Sequence, residues 1–371
     1  MSENSRPLQG IRVLDLSRVL AGPLCAMILG DLGADVIKVE RPDAGDETRG
    51  WGPPFDERGE SAYFLSINRN KRSLTADLSD AEDMALVHRL VSEADVVVEN
   101  FLPSALSRKE IDAASLLSKY KQLSWCAIRG YPNDPERPGY DFAVQAEAGW
   151  MSVTGEPNGA PVKTAVALVD LLAGKDAAIA VLAALVSRRG KSSAERTVTV
   201  TLAGSAVAAL ANVAQNALVS GNDSKRWGNS HANLVPYQLF ETADRPMVIA
   251  VGSDGQWRAL TRVLDDASLA GDEALATNAG RVVNRARCVD AVQTVLLRRS
   301  ASEWTARCGQ AGVPTGLVRT VREALADVEA SPLTGVASSV GGRVYRPPPL
   351  LGEHSAEIRR NGWGADALGG A

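Results

Sequence analysis

Histidine, cysteine and excess positive charge are all short in this chain. Only three of its 371 residues are histidine (His88, His231 and His354). Its four cysteines, Cys25, Cys126, Cys288 and Cys308, lie far apart, with no CxxC pair and no histidine at ligand spacing. That pattern encodes neither a metal site nor a disulfide framework. His88 falls within a helical pattern and reads as a surface or packing residue. Lys and Arg number 40 against 44 Asp and Glu, for a net charge of -4, so nothing recommends nucleic acid as a partner. The opening residues MSENSRPLQG hold no apolar stretch of the kind a secretory signal needs, and the expected location is the cytoplasm. The longest charge-free run, 197–222, contains Asn212, Gln215 and Asn216, which are costly in lipid; a membrane span is not expected.

Hydrophobic residues make up 45% of the sequence, enough to bury a large core and to divide into more than one domain. From residue 11 to 130, short apolar runs alternate with helical segments. Strands are expected at Ile11–Leu16, Ala34–Val39, Asp95–Glu99 and Leu123–Ile128, and helices at Pro23–Leu32 and Leu78–Ala94. Ser79 and Glu82 have the spacing of a capping box at the start of the second helix. Near-continuous apolar strands separated by helices predict an α/β fold, a large domain with a Rossmann-like parallel sheet flanked by helices. Arg196–Leu202 alternates strictly and adds a further strand. Residues 203–222 then read as one long connecting helix, and a smaller α/β domain follows. The expected division is 1–202 for the large domain, 203–224 for the connection and 225–315 for the small domain. The return at 316–371 completes the large domain, whose sheet both chain ends are expected to finish.

The first strand–helix–strand unit has the outline of a dinucleotide site, since Glu40 ends the second strand where a ribose-binding acid would stand. Residues 17–24 nevertheless contain no GxGxxG, so the close backbone approach to a pyrophosphate is not encoded. Arg41 follows Glu40 at once. An arginine at the rim of a parallel sheet suits a phosphate or an adenine face, and equally suits simple neutralisation of Glu40.

Within 164–190, TAVALVDLLAGKDAAIAVLAALVSRRG, the apolar residues Leu172, Ile179, Leu182, Leu185 and Val186 fall at helical spacing, so Asp170 stands at the first turn of a helix. An aspartate there is either an N-cap, accepting first-turn amides, or a nucleophile.

Seven segments bear on that choice: DLSRVLAGP (15–23), GADVIKVERP (33–42), VVENF (97–101), RPGYDFAVQAEAGWMSVTG (137–155), the Asp170 segment, GNSHANLVPY (228–237) and PPLLGEH (348–354). In this order the chain resembles the family III CoA-transferases, the CaiB/BaiF relatives of formyl-CoA:oxalate and carnitine CoA-transferases, from about Leu8 to about His354. The resemblance implies that Asp170 is the catalytic nucleophile and that CoA thioesters and free carboxylic acids are the substrates. It implies that Val19, Arg41, Asn100, Phe101 and Arg108 contact CoA, and that two subunits interlock as a homodimer. Three departures stand out. Leu102-Pro103-Ser104 replaces the common Arg-Pro-Gly after ENF, Leu20 stands where formyl-CoA transferase has glutamine, and GNSHANLVPY stands where that enzyme has a glycine-rich loop. The resemblance therefore does not extend to oxalate specificity.

Tyr140 and Asp141 form the second discriminating site. Related α-methylacyl-CoA racemases have histidine at the position of Tyr140, because two-base proton transfer needs groups on both faces of the α-carbon. A phenol is a poor base at neutral pH, although it donates hydrogen bonds well. Tyr140 also fits a packing role at the sheet edge, and Asp141 a turn or capping role. His231 fits a substrate carboxylate or an ordinary surface loop. The leading expectation is a CoA-transferase working through mixed anhydride and aspartyl-CoA thioester intermediates. The alternatives are a 2-methylacyl-CoA racemase and a CoA-binding protein without turnover.

Overall fold

The computed structural model describes residues 6–107, 109, 111–187 and 192–364, which form two compact units. The larger takes the described residues within Met1–Trp150, Lys163–Asn222 and Val328–Ala371. The smaller takes Met151–Val162 and Asp223–Asp327.

The larger unit is built on six parallel strands, β1 (Arg12–Asp15), β2 (Asp35–Glu40), β3 (Lys71–Thr75), β4 (Val96–Glu99), β5 (Ser124–Arg129) and β6 (Thr197–Thr201), in the spatial order β3-β2-β1-β4-β5-β6. Val13 of β1 is in register with Val36 on one side and Val96 on the other. Alternation along the strands feeds two apolar cores. Val13, Val36, Val96, Val98 and Ile128 point to one, and Leu14, Ile37, Val97 and Trp125 to the other. The connecting helices are α1 (Ala21–Asp31), α2 (Ala62–Ile67), α3 (Ala81–Glu93), α4 (Pro103–Ser107) and α5 (Ala113–Lys119). After β5 come α6 (Asp141–Glu147), α7 (Trp150–Val153) and α8 (Leu168–Ser187). α1 and α8 enter the first core; α3 and α5 enter the second. Strand order reverses between β1 and β4, and a sheet of this topology opens its ligand crevice there, beyond the carboxyl ends of the strands.

Several local expectations need correction. The strand β3 gave no apolar signal because it reads Lys-Arg-Ser-Leu-Thr. Lys71 and Arg72 are buried, paired with Asp15 at 2.9 Å and Asp35 at 2.6 Å. The cap of α3 is Asp80, whose carboxylate accepts the Glu82 and Asp83 amides, while Ser79 turns back to Asp77. The expected single helix over 203–222 is two, α9 (Leu202–Ala209) and α10 (Ala211–Ser220), bent by 71°. Ala211 takes φ +45° between them, which interrupts the helical ladder. Neither chain end adds a strand to the six-stranded sheet among the described residues. The C-terminal part instead supplies the helix Ser355–Asn361 and Trp363, with Ile358 and Trp363 buried in the second core. No single helix among the described residues is long and apolar enough to cross a membrane.

The smaller unit holds an antiparallel sheet of β7 (Tyr237–Phe240), β8 (Met247–Ala250) and β9 (Thr315–Leu317), with α11 (Asp254–Leu264) contributing Trp257, Leu260 and Leu264 to its own core. Val313–Gly316, read from the sequence as the return to the large domain, leads into β9 and pairs with β8, so the smaller unit continues to Asp327.

Candidate active site

Asp170 is the third residue of α8. The residues that follow on its buried face are small, and Gly174 explains the closeness of α8 to α1: a Cβ there would stand 2.7 Å from the Ala21 carbonyl oxygen. That close packing brings Asp170 to a cavity of about 240 Å³ at the switch point, whose wall also includes Val19, Leu20, Ala21, Asn100 and Tyr140. Asp170 is 9% exposed, and no hydrogen bond to its carboxylate occurs among the described residues. Burial, with the neighbouring Asp141 carboxylate as the second cause, pushes its pKa up to about 7.

The N-cap alternative belongs to a different residue. Asp141, the first residue of α6, accepts the Val169 amide at 2.8 Å and the Asp170 amide at 3.4 Å, capping α8 from another helix. Its second oxygen accepts from Gln145 Nε2 at 2.6 Å, and Gln145 Oε1 in turn accepts the Thr164 amide at 2.9 Å. Two first-turn amides of α8 are thereby taken. By contrast, α1 begins after Leu20 with no side-chain cap and no acidic residue in its first turn, and Leu20 and Ala21 line the Asp170 cavity. The positive end of α1, not that of α8, is open to the cavity.

Tyr140 precedes α6, is 60% exposed, and makes no capping bond. It is carried to the cavity by the loop 130–139, whose ends meet glycine against glycine: a Cβ on Gly139 would stand 2.4 Å from the Gly130 Cα. Asn100 clasps the backbone of Arg18, accepting its amide at 2.9 Å and donating to its carbonyl at 2.7 Å. The Arg18 guanidinium lies 5.5 Å from the centre of the Phe101 ring and pairs with Glu47 at 2.5 Å. Arg18 and Phe101 also belong to the wall of a second cavity, of about 360 Å³, with Leu16, Glu40, Arg41 and Lys109. Arg41 does not neutralise Glu40. Glu40 is held by Arg49 at 2.8 Å, whereas the half-exposed Arg41 is 3.7 Å from Glu47. Arg108 lies outside the described residues. His231 belongs to the smaller unit, where its Nδ1 accepts the Asn233 amide at 3.0 Å and its ring lies 5.2 Å from that of Tyr237.

Residues 8–339 match the model of CoA-transferase family III. The chain belongs to that family. It is 39% identical to the succinate–glutarate CoA-transferase of Agrobacterium fabrum, covering 96% of each chain. It is 36% identical to the human succinyl-CoA:glutarate CoA-transferase over 96% of this chain and 86% of that one. A CaiB/BaiF family protein from Brucella suis has a crystal structure that matches 95% of this chain and 98% of its own, with a TM-score of 0.82 and 39% identity. The protein is a CoA-transferase.

One residue of this CoA-transferase that sequence reasoning passed over is Tyr63 on α2. Burial, then the charges of Asp170, Asp141 and Asp46, push its phenol up to about 12, and its ring meets Trp51 edge-on at 5.1 Å. The only sequence signal was the aromatic spacing of Trp51, Phe55 and Tyr63, which no helical or strand period organises.

Proposed function

We propose that Asp170 is the nucleophile that carries CoA between acids, and that the second cavity receives the CoA nucleotide. The observation that carries the reading is a buried carboxylate with no hydrogen-bond donor among the described residues, sharing a cavity with the uncapped start of α1. Asp170 attacks the donor thioester carbonyl, the C–S bond breaks, and the CoA thiolate leaves a mixed anhydride behind. The thiolate then attacks the aspartyl carbonyl and expels the donor acid as its carboxylate, which gives the aspartyl-CoA thioester. The acceptor carboxylate runs both steps in reverse, and Asp170 is regenerated with no net proton transfer. The open amides of α1 face the oxyanions that develop at each step. Arg41 serves a phosphate of CoA, and Arg18 with Phe101 marks the passage between the two cavities.

The acceptor is a short dicarboxylic acid, as the names of both relatives suggest for their own substrates. Three arginines line the Asp170 cavity. Arg129 is held bidentately by the buried Glu99, and Arg18 by Glu47. Among the described residues Arg137 has Glu147 as its carboxylate partner, both side chains being about half exposed, and stacks on the Tyr131 ring at 4.0 Å; it is the cation placed to exchange Glu147 for a distal carboxylate. The chain works as a homodimer, a reading supported by apolar side chains left open on α8 and α10, with Val186 89% and Leu218 77% exposed. Light scattering tests the dimer.

Incubation with succinyl-CoA, quenching with hydroxylamine and peptide mass spectrometry should place a hydroxamate on Asp170. Turnover with no label at Asp170 would refute the assignment. A panel of mono- and dicarboxylic acids tests the acceptor class.

A further inference from the structure

Val19 has φ +70°, a left-handed conformation that a β-branched residue avoids because its methyls crowd its own backbone. The chain around it is fastened by buried side chains. The Ser17 amide donates to Asp15 at 3.0 Å, and the Ser17 carbonyl accepts from Lys38 Nζ at 2.8 Å. Asn100 holds both backbone groups of Arg18. The Val19 amide itself goes to Asp46, whose two oxygens share it at 3.3 Å each. Asp46 is paired with Lys38 at 2.9 Å, with both side chains wholly buried, and also accepts from the Thr48 amide and hydroxyl. Burial alone would raise the Asp46 pKa; Lys38 and Thr48 overcome this and hold it at about 2, so the pair is charged.

A buried ion pair is a weak source of stability, since an apolar pair of similar volume commonly does as well. What this one supplies is geometry. Its carboxylate meets the amide of the one strained residue of the segment, and the next residue, Leu20, sits at the start of α1. We propose that the Lys38–Asp46 pair is a positioning device for transfer: it holds Val19 left-handed and so fixes where the open amides of α1 stand in the Asp170 cavity. This rests on the reading of Asp170 as nucleophile. Asp15 and Asn100 fasten the neighbours, but among these side chains only Asp46 touches the Val19 amide. Both members of the pair also belong to the wall of the Arg41 cavity, so one anchor serves both cavities.

The test is a cycle that combines Lys38→Met/Asp46→Leu, which removes both charges together, with Val19→Gly, which adopts the same φ without an anchor. The charge-free variant should lose about thirtyfold in kcat with the KM for acyl-CoA within threefold. Adding Val19→Gly should restore at least tenfold, a rescue that general destabilisation would not show. A crystal structure of the charge-free variant should show Val19 at negative φ. The same cycle with Lys38→Met/Asp46→Ala, which also leaves no buried charge unpaired, serves if the first charge-free variant fails to fold. A Val19 that stays left-handed without the pair, or a kcat loss that Val19→Gly does not restore, overturns the inference. Failure to trap a hydroxamate on Asp170 in the unmodified enzyme would instead overturn the nucleophile reading, while the Val19 conformation still decides this one.

Discussion

Two helices present their first turns near Asp170, and they are finished differently. The start of α8 is closed by Asp141, which takes the amides of Val169 and Asp170. The start of α1 carries no cap, although an open helix end is unfavourable unless water or a ligand satisfies it. Position in the chain does not explain the difference, since both helices pack into the same core. The closed end fixes the backbone of Asp170, and after burial the cap, itself a carboxylate, is the second cause that raises the Asp170 pKa. The open end leaves the first amides of α1 without a side-chain cap beside the Asp170 cavity, which is where the proposed mechanism needs donors. Stability is given up at one helix and secured at the other.

The largest effect should come from Asp170 itself. Asp170→Asn should lower transfer by about 10⁴-fold, as removal of a covalent nucleophile does, read as CoA-ester formation under saturating donor and acceptor. The same change should stabilise the fold, and the sign follows from the raised pKa. Between pH 3.8 and about 7 the unfolded chain has released the Asp170 proton and the folded chain has not, so stability falls as pH rises through that window. Completed, the loss is roughly 4 kcal/mol. Thermal denaturation at pH 8 should therefore show the Asn variant melting several degrees higher, with the two proteins converging near pH 4. Equal melting points at pH 8 would mean that Asp170 is not destabilised by its setting.

Asp141→Asn sharpens the contrast between the two helix ends. The asparagine oxygen still accepts the α8 amides, but the charge beside Asp170 is gone. On the nucleophile reading Asp170 attacks as its carboxylate, so kcat/KM for the donor should rise with pH along a limb near 7 in the unmodified enzyme. The variant should move that limb to lower pH, with about tenfold or less lost at its optimum. Asp141→Ala, which also removes the cap, should lose more, by about another 1 kcal/mol of helix stability. An unmoved limb in Asp141→Asn would leave burial as the whole cause of the raised pKa.

How much of this was readable in the sequence depends on the range of the interaction. The strands β1, β2, β4, β5 and β6 announced themselves because their apolar runs are local, and Asp170 did so because a carboxylate interrupts such a run. Strand β3 did not: Lys71 and Arg72 are made compatible with burial by Asp15 and Asp35, 56 and 37 residues away. The same limit hid Asp141 as the cap of α8, 28 residues downstream, and the Lys38–Asp46 anchor of Val19. Nor does the helical spacing around Asp170 show whether its carboxylate is ionised or its helix start is open. The burial that raises its pKa and the cap that occupies those amides are both tertiary. Residues 151–162, which include most of α7, read with the large domain because nothing local separates them from the residues before them. In the structure they join the smaller unit, where Arg226 donates to the carbonyls of Glu156 and Gly159.

The second cavity, proposed for the CoA nucleotide, should answer differently from the Asp170 cavity, because on that reading it is remote from the reacting bond. Arg41→Ala should raise the KM for acyl-CoA about tenfold and leave kcat within a factor of two, since such a contact holds ground and transition states alike. A donor lacking the 3′-phosphate should show little further loss in this variant if that phosphate is the partner. A fall in kcat instead would tie Arg41 to the reaction coordinate through Glu47 and Arg18, which it approaches at the passage between the cavities.

The smallest effect is expected at Tyr140. Tyr140 lines the Asp170 cavity with an exposed side chain and has no capping duty, so Tyr140→Phe should remove one neutral hydrogen bond to substrate, worth about 1 kcal/mol, or roughly fivefold in kcat/KM. The same position separates transfer from racemisation. A racemase needs a second base across the α-carbon, and here that place holds a phenol, with Asp141 committed to α8 and Gln145. In deuterium oxide, a 2-methylacyl-CoA incubated with the enzyme and no acceptor should gain no α-deuterium, and addition of a dicarboxylic acid should yield that acid's CoA thioester. Tyr140→His should leave the first result unchanged unless a base on the opposite face is already in place. Rapid α-exchange by the unmodified enzyme would recast Asp170 as a general base and the open end of α1 as the site of an enolate oxygen.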